Sequence, residues 1–379
     1  MSKDYILEVS WGCPSEKWPT NGLFQFDQAK ALKEIGENVV FLALDVRSIK
    51  KWRKWGLNTF EKNGIPVYEF NFPYGPLSPK YKFIIQDYCF NRAISAIEKK
   101  HGKPQCIHVH TCQQALAVSE YCRLNKIPYY ITEHVWPIDM GAYVNERMKT
   151  TYKAATKVIA VSNALSQVLK DYCGIDCAVV HNIVDLNSFE YAPSNKRDDG
   201  VYRFVSAAQV EYRKGMDILV KGFSEFLKSG VKSYLTIMGD GSQLENVKKL
   251  AIELGIQDYI TYTGKYERKQ FAEELHRSDC FVLVSRDETF GIVYVEAMAC
   301  GIPAIASMCG GPSDIIDDSN GLLVPMEDPH ALAEAMKKIV NIEYDSEKIA
   351  RDCRQRYNSQ KIAKEIKAVL YDQGNDFGE

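Results

Sequence analysis

No C-x-x-C pair occurs in the chain, although it holds eleven cysteines. The two closest, Cys173 and Cys177, have no second ligand pair beside them. An odd, scattered set of this kind argues against a disulfide framework or a zinc ribbon and predicts reduced thiols in a cytoplasm. Nor is there a run of eighteen apolar residues, so no segment is expected to span a membrane. The N-terminus passes directly into the strand-like Tyr5–Val9, without a basic n-region and an apolar h-region, which predicts no signal peptide. Neither sign of charge dominates: a net charge of −2 provides no overall attraction for nucleic acid. What is present is an ordinary soluble composition, 46% hydrophobic and 25% charged. At 379 residues the chain is too long for one core, and two domains are expected.

Short apolar runs alternate with helical segments throughout. In the first half, strands are expected at Leu7–Val9, Val39–Leu44, Ile107–His110, Tyr129–Thr132, Val158–Val161 and Cys177–Val180. Helices are expected at Phe24–Ile35, stopped by Gly36, at Gln113–Leu124, and from the N-cap Ser162 to Leu169. Tyr191–Gly200 (YAPSNKRDDG) is polar and turn-forming, and it divides a domain of residues 1–192 from one of 200–358. A second series follows, with strands at Tyr202–Ala207, Tyr234–Met238, Ile260–Tyr262 and Phe281–Val284 and another beginning at Ala304. Its helices begin at Asp217 and Ser346 and cover Leu244–Leu254, Ile292–Cys300 and Pro329–Val340. Such alternation implies an α/β fold with a parallel, doubly wound sheet in each half.

Function is concentrated in Ser285–Gly311, SRDETFGIVYVEAMACGIPAIASMCGG. A buried strand leads into a polar loop, a helix, a Gly301-x-Pro303 stop and another buried strand. The loop therefore lies at the carboxyl end of a strand, where open α/β sheets bind ligands. Gly291 at the helix entrance permits close backbone approach, and the first-turn amides of Phe290, Gly291, Ile292 and Val293 suit an anion such as a diphosphate. Glu288 in the loop and Glu296 in the helix, seven residues between them, are placed to accept hydrogen bonds from hydroxyls of a sugar and of a ribose. Two glutamates alone would read as an acidic loop and a helical carboxylate paired with a lysine; the longer string carries the functional reading.

The string E-T-F-G-I-V-Y-V-E-A-M-A-C-G-I-P-A-I-A-S resembles the E-x7-E signature of glycosyltransferase family 4, the retaining nucleotide-sugar transferases of the GT-B fold. The resemblance implies two Rossmann-like domains facing each other across a cleft, with the C-terminal helix (360–379) packed back on the first. It implies transfer of a sugar from a nucleoside diphosphate, UDP favoured, to a carbohydrate or lipid-linked acceptor. Neither cofactor nor metal is expected. His134, in T-E-H past a strand end, resembles the family's sugar-contacting histidine and is expected, with Glu288, to be catalytic. Donor contacts are expected from Gly22 in the first loop (Asn21-Gly22 for the usual Gly-Gly), Lys214, Gly239, Lys265, Tyr266, Phe290, Gly291, Ile292, Val293 and Glu296. Gln209 stands where the family has an arginine, which removes one cation from the expected diphosphate clamp and implies either that Arg213 compensates or that the donor is held differently. His181–Asp185 resembles the family's N-G-V-D turn, with Ile183 for the glycine. Alternatives remain: a hydrolase using Glu288 and Glu296 as acid and base, an epimerase of nucleotide sugars, or a non-catalytic scaffold subunit, for which Gln209 speaks.

Arg47–Lys62, RSIKKWRKWGLNTFEK, carries six cations against one acid, with Ile49, Trp52 and Trp55 at three-residue spacing. It reads as an amphipathic contact with an anionic membrane surface, or else as a solvated basic helix packing its tryptophans on the domain. Family members that glycosylate lipid-linked acceptors at the inner face of the membrane favour the first, and surface polysaccharide synthesis as the pathway. His108 and His110 share one strand face, but no third ligand stands at a plausible spacing, so zinc is not expected.

Overall fold

A computed structural model describes residues 4–48, 53–75, 79–137, 142–192 and 199–372. The chain forms two compact units, 1–183 with 359–379, and 184–358.

The first unit runs β1 (Ile6–Ser10), α1 (Leu23–Glu34), β2 (Val39–Ser48), β3 (Gly56–Lys62), β4 (Ile65–Tyr74), α2 (Pro79–His101), β5 (Cys106–His110), α3 (Cys112–Asn125), β6 (Tyr129–Glu133), α4 (Ala142–Ala154), β7 (Lys157–Ala160), α5 (Asn163–Cys173) and β8 (Ala178–Val179). Its sheet has the order β3-β4-β2-β1-β5-β6-β7-β8, parallel except for the β3–β4 pair. β1, β5 and β6 are buried along their whole length, because helices cover both faces of a doubly wound sheet. Ser162 caps α5 as expected, its Oγ accepting from Leu165 N at 3.1 Å.

Among its described residues the basic segment forms no helix. Its described residues belong to β2, to the approach to β3 and to β3 itself, and Ile49, Lys50, Lys51 and Trp52 lie outside them. Lys62 pairs with Ile65 across a two-residue turn in which Asn63 and Gly64 have φ of 52° and 70°. Left-handed backbone at both turn positions is the signature of an Asn-Gly hairpin. Arg47 and Arg53 both bond the Asp45 carboxylate, and Lys62 Nζ donates to Pro14 O at 2.5 Å, so three of the six cations have protein partners. No helix among the described residues is long and apolar enough to cross a membrane.

The second unit holds β9 (Tyr202–Ala207), α6 (Met216–Leu227), β10 (Ser233–Met238), α7 (Leu244–Glu253), β11 (Ile260–Gly264), α8 (Arg268–Leu275), β12 (Cys280–Leu283), α9 (Ile292–Ala299), β13 (Ala304–Ser307), β14 (Gly321–Val324), α10 (Pro329–Ile339) and α11 (Ser346–Arg356). Its sheet is entirely parallel, in the order β11-β10-β9-β12-β13-β14. Counted within the unit this is 3-2-1-4-5-6, the order of dinucleotide-binding sheets. The unit begins at Val184, earlier than the polar 191–200 stretch taken as the boundary. The reason is packing that polarity does not reveal: Phe189 is buried against Phe271, Arg354 donates to its carbonyl, and His276 bonds Glu190 O at 2.8 Å.

The last helix, α12 (Ser359–Tyr371), returns to the first unit and packs on α1. Lys367 and Tyr371 reach Glu37 at 2.5 and 2.7 Å.

Candidate active site

In the second unit the order of strands reverses between β9 and β12, the position at which such sheets bind ligands. The loop after β9 ends in a single 3-10 turn, Tyr212–Lys214, and the loop after β12 runs into α9. Arg286 holds the two loops together. Its N–H donates to Arg213 O at 2.7 Å, its guanidinium forms two 2.8 Å bonds with Asp217 and pairs with Glu327, and it stacks over the Tyr212 ring at 3.9 Å. Gly215 lets them touch, since a Cβ there would lie 2.0 Å from Val284 O.

Lys214 is 9% exposed, and its ammonium donates to the Glu288 carboxylate. Glu288 is itself fixed by its backbone, with Gly311 N donating to its carbonyl at 2.8 Å. Beyond it Gly291 opens α9 at φ 105° and, as the N-cap, provides no side-chain cap. The amides of Ile292 and Val293 therefore point out of a bare positive helix end, in the same loop as the Lys214–Glu288 pair. Phe290 contributes only backbone, because its ring is buried edge-on against Tyr357. One turn into α9, Glu296 is 7% exposed and accepts from Arg268 Nη2 at 2.7 Å; the same nitrogen donates to Asp185 O at 2.6 Å. Burial pushes the Glu296 carboxyl up to about 7 against the pull of Arg268, with Asp185 adding to the rise. The nearby Tyr266 phenol is raised to about 12 by burial and by the Glu296 charge.

The first unit reverses its strand order between β1 and β5. Glu8 and His108 are register partners there, and His110 lies two residues on, on the same face. Glu8 Oε1 is 3.0 Å from His108 Nδ1, and Oε2 is 2.8 Å from His110 Nε2. His108 Nε2 lies 2.7 Å from Thr132 Oγ1 on β6. His110 Nδ1 is 3.0 Å from His134 Nε2, with the rings stacked at 5.3 Å, and His134 Nδ1 is 3.0 Å from the Asn182 side-chain oxygen Oδ1. Burial alone would raise the Glu8 carboxyl, but His108 and His110 outweigh it and hold it at about 2. Burial lowers His110, and burial together with His110 lowers His134 well below the usual imidazole range. The Glu133 carboxylate fixes the His134 backbone, accepting from His134 N at 3.1 Å and Val135 N at 3.3 Å, and also from Cys112 N and Tyr152 Oη.

The expectation that His108 and His110 lack a third ligand is corrected. Glu8 comes from 100 residues away, and the three groups' ligand atoms lie within 4.8 Å of one another. All four ring nitrogens of the two histidines are already hydrogen-bonded, so the arrangement is that of a hydrogen-bond network whose donors and acceptors are matched.

Two family models divide the chain: Glycosyltransferase Family 4 matches residues 27–188 and Glycosyl transferases group 1 matches 187–373. The chain belongs to the family 4 type of glycosyltransferases. TuaC of Bacillus subtilis, attributed to teichuronic acid biosynthesis, is 27% identical over 362 residues, 88% of each chain. A GDP-mannose-dependent phosphatidylinositol monomannoside mannosyltransferase of Mycolicibacterium smegmatis is 30% identical over 132 residues, 33% of this chain and 35% of that one. The chain spans under half the length of the curated relatives it matches at 30% identity. Among solved structures, Anabaena HepE in complex with UDP superposes with a TM-score of 0.75 at 16% identity, covering 97% of this chain and 99% of that one. The fold is therefore GT-B.

The chain gathers Lys214, Glu288, Gly291, Ile292 and Val293 at the switch point of its second unit, with Arg268 bonded to Glu296 and Tyr266 close enough to feel the Glu296 charge. Gly239 follows β10 at φ 136°, where a Cβ would strike Ala208 O at 1.8 Å, so it shapes the loop after β9. Gln209 is exposed, and Lys265 is 87% exposed, 4.0 Å from Asp240. Arg213, the substitute cation, is half-exposed and lies 3.7 Å from Asp287. Gly22 and His134 belong to the first unit. Gly22 precedes α1 at φ 68°, tight against Gly12 O. Both ring nitrogens of His134 are engaged by His110 and Asn182, which gives it a positioning geometry rather than that of a free acid or base. Sequence reasoning missed Arg268, Arg286 and Glu8. For Glu8 a signal existed, a carboxylate inside the apolar run Ile6-Leu7-Glu8-Val9; for the two arginines none is local, since their partners are 28 and 69 residues away.

Proposed function

We propose that the transferase moves a sugar from a nucleoside-diphosphate sugar, UDP in first place, to an acceptor hydroxyl with retention at the anomeric carbon. The observation that carries this reading is the buried Lys214–Glu288 pair beside the uncapped entrance of α9, at the switch point of the second unit. An ammonium has three donors, so Lys214 can keep Glu288 and still donate to a diphosphate. Charge that gathers on the leaving diphosphate is stabilised by that ammonium and by the amides of Ile292 and Val293. Glu288 positions the sugar, Glu296 accepts from the ribose diol, and Arg268 holds Glu296 in place. No metal is required by this arrangement.

The acceptor is a carbohydrate or lipid-linked species of bacterial surface polysaccharide or glycolipid synthesis, on the cytoplasmic side. TuaC and the mannosyltransferase point to such pathways by their names. Peripheral membrane contact falls to Lys50, Lys51 and Lys54 with the exposed Trp55; replacing the three lysines by glutamate should abolish sedimentation with anionic vesicles, and unchanged sedimentation would remove this part of the reading.

The test is calorimetric binding of UDP, GDP, ADP and CDP to the wild type and Glu296→Ala in EDTA, followed by product analysis with the matching donor. One nucleotide should bind, and the variant should bind it at least tenfold more weakly. No binding by any of them would return the exposed Gln209 and the scaffold reading to first place. The raised Glu296 carboxyl keeps a hydrolase as second reading, and free sugar released without an acceptor would establish it. Donor converted without an acceptor would indicate an epimerase.

A further inference from the structure

Three loops at the carboxyl edge of the second sheet meet on one guanidinium. Arg286 follows β12, and its side chain reaches both the loop after β9 with the first turn of α6 and the loop after β14. Nη1 donates to Tyr212 O at 2.6 Å and to Asp217 Oδ1 at 2.8 Å. Nη2 donates to Asp217 Oδ2 at 2.8 Å and to Glu327 Oε2 at 3.2 Å, and Nε donates to the other Glu327 oxygen. A guanidinium has five N–H groups, and these five oxygens take all of them. The Tyr212 ring lies against the guanidinium, and the side chain is 13% exposed. No N–H of Arg286 remains for a diphosphate or a sugar. Its effect falls on its neighbours instead. Its backbone N–H donates to Arg213 O at 2.7 Å, so one residue holds two successive carbonyls of the turn that ends in Lys214. Glu288 stands two residues further along the chain from Arg286, and the Lys214–Glu288 pair is a second tie between the same two loops. A bound diphosphate and sugar would compete for that second tie, because they bind its two partners. Nothing competes for the first.

We propose that Arg286 is a positioning residue for the transfer reaction: without touching substrate it locks the loop after β9 to the loop after β12, and so sets where Lys214 meets the donor diphosphate. The part played in donor binding rests on the function proposed above; the clamp itself does not. Gln209 makes the chain more dependent on it. That position in the loop after β9 holds an exposed amide instead of a cation, and Arg213 is half-exposed beside Asp287. Lys214 is the buried cation of this loop, and its placement follows from the turn that Arg286 holds. Lysine is no substitute for Arg286. An ammonium has three donors and no planar fork, so it cannot bridge both Asp217 oxygens, reach Glu327 and lie flat against Tyr212 at once. An ion cluster that served stability alone would, when broken, weaken every property of the unit together. The clamp makes a narrower demand, on the groups that meet the diphosphate.

The experiment measures binding of UDP, GDP, ADP and CDP by calorimetry, and of the matching nucleosides by saturation-transfer NMR. The proteins are the wild type, Arg286→Lys and Arg286→Gln, each also combined with Lys214→Met. For the nucleoside diphosphate that the wild type binds, Arg286→Lys should lose about tenfold in affinity and Arg286→Gln up to about 100-fold, with the nucleoside bound as in the wild type. In the Lys214→Met background the same substitutions should cost less than about threefold, because Arg286 acts through Lys214. Amide hydrogen exchange needs no nucleotide. The Lys214 and Gly215 amides, which donate to Glu211 O and Tyr212 O, should exchange about tenfold faster in the variants while the strands of the sheet stay protected. Equal losses for diphosphate and nucleoside overturn the proposal. So do losses that add in full to that of Lys214→Met, or diphosphate binding unchanged in both variants. If Arg286→Gln does not fold, Arg286→Lys, which keeps the charge, decides by the same comparison. A wild type that binds none of the four nucleotides would instead defeat the transferase reading, and exchange at Lys214 and Gly215 would then decide whether Arg286 holds the loop.

Discussion

Glu296 titrates near 7 in the fold against an ordinary value of 4.5, so the native state binds its proton more tightly than the unfolded chain does. Its contribution to stability is complete below the unfolded value and is lost as pH rises through about 7. Glu296→Gln cannot ionise and escapes that loss. Thermal denaturation should show the variant close to wild type at about pH 5 and more stable at about pH 8, by on the order of 2–3 kcal/mol. A difference independent of pH would mean that Glu296 does not titrate in this range. The same variant should bind nucleotide more weakly, so stability and binding move in opposite directions. Lys214 gives the opposite case. Lys214→Met keeps the bulk but leaves Glu288 without its cation, and kcat should fall by ~100- to 1000-fold. A fall below tenfold in steady-state assays would move the diphosphate clamp elsewhere.

The elements that present these residues depend on backbone that few residues adopt. Gly291 stands at φ 105°, and a Cβ there would lie 2.5 Å from the Tyr294 ring. Tyr294 has little room to yield, since it is fully buried and donates to Leu283 O at 2.7 Å. Gly291→Ala should cost about 1–3 kcal/mol in urea unfolding and weaken nucleotide binding, because the entrance of α9 must reopen. A variant of wild-type stability and affinity would show that the helix entrance tolerates a side chain and is not tightly apposed to a ligand. Most elements were legible in the sequence to within a few residues, because strands buried on both faces read as short apolar runs and the helices between them carry good stops. The β3–β4 hairpin was not read from the sequence, although Asn63-Gly64 is a hairpin turn signal; the density of cations and tryptophans before it suggested an amphipathic membrane contact or a solvated basic helix instead. Charge pattern alone does not distinguish a helix face from a strand and loop whose arginines, Arg47 on β2 and Arg53 before β3, fold back onto one aspartate, Asp45.

At the scale of the molecule, the return of α12 makes the first unit discontinuous in sequence and leaves the second continuous. Residues 184–358 expressed alone should fold and bind the donor nucleotide with an affinity within about tenfold of the full chain, since Lys214, Glu288, the α9 entrance, Arg268 and Glu296 are all inside them. Residues 1–183 alone should be unstable until 359–379 is supplied, because α1 would lose its cover and Glu37 its partners Lys367 and Tyr371. Proteolysis and calorimetry of the two fragments test both. A stable 1–183 fragment would mean that α12 is dispensable to the core.

From sequence alone the chain could be read as two parallel-sheet units, with a glycine-opened helix and two glutamates in the second. Those features are local: periodicity, stops, and a loop that runs directly into a helix. Tertiary structure decided what those side chains do. It put Arg268 on Glu296, Arg286 across two loops, and Glu8 beside two histidines 100 and 102 residues away. It also moved the unit boundary to Val184, because Phe189 is buried in the second core. Pairing between distant strands is set by register and packing, which depend on the whole sheet, and no spacing within a short segment records it.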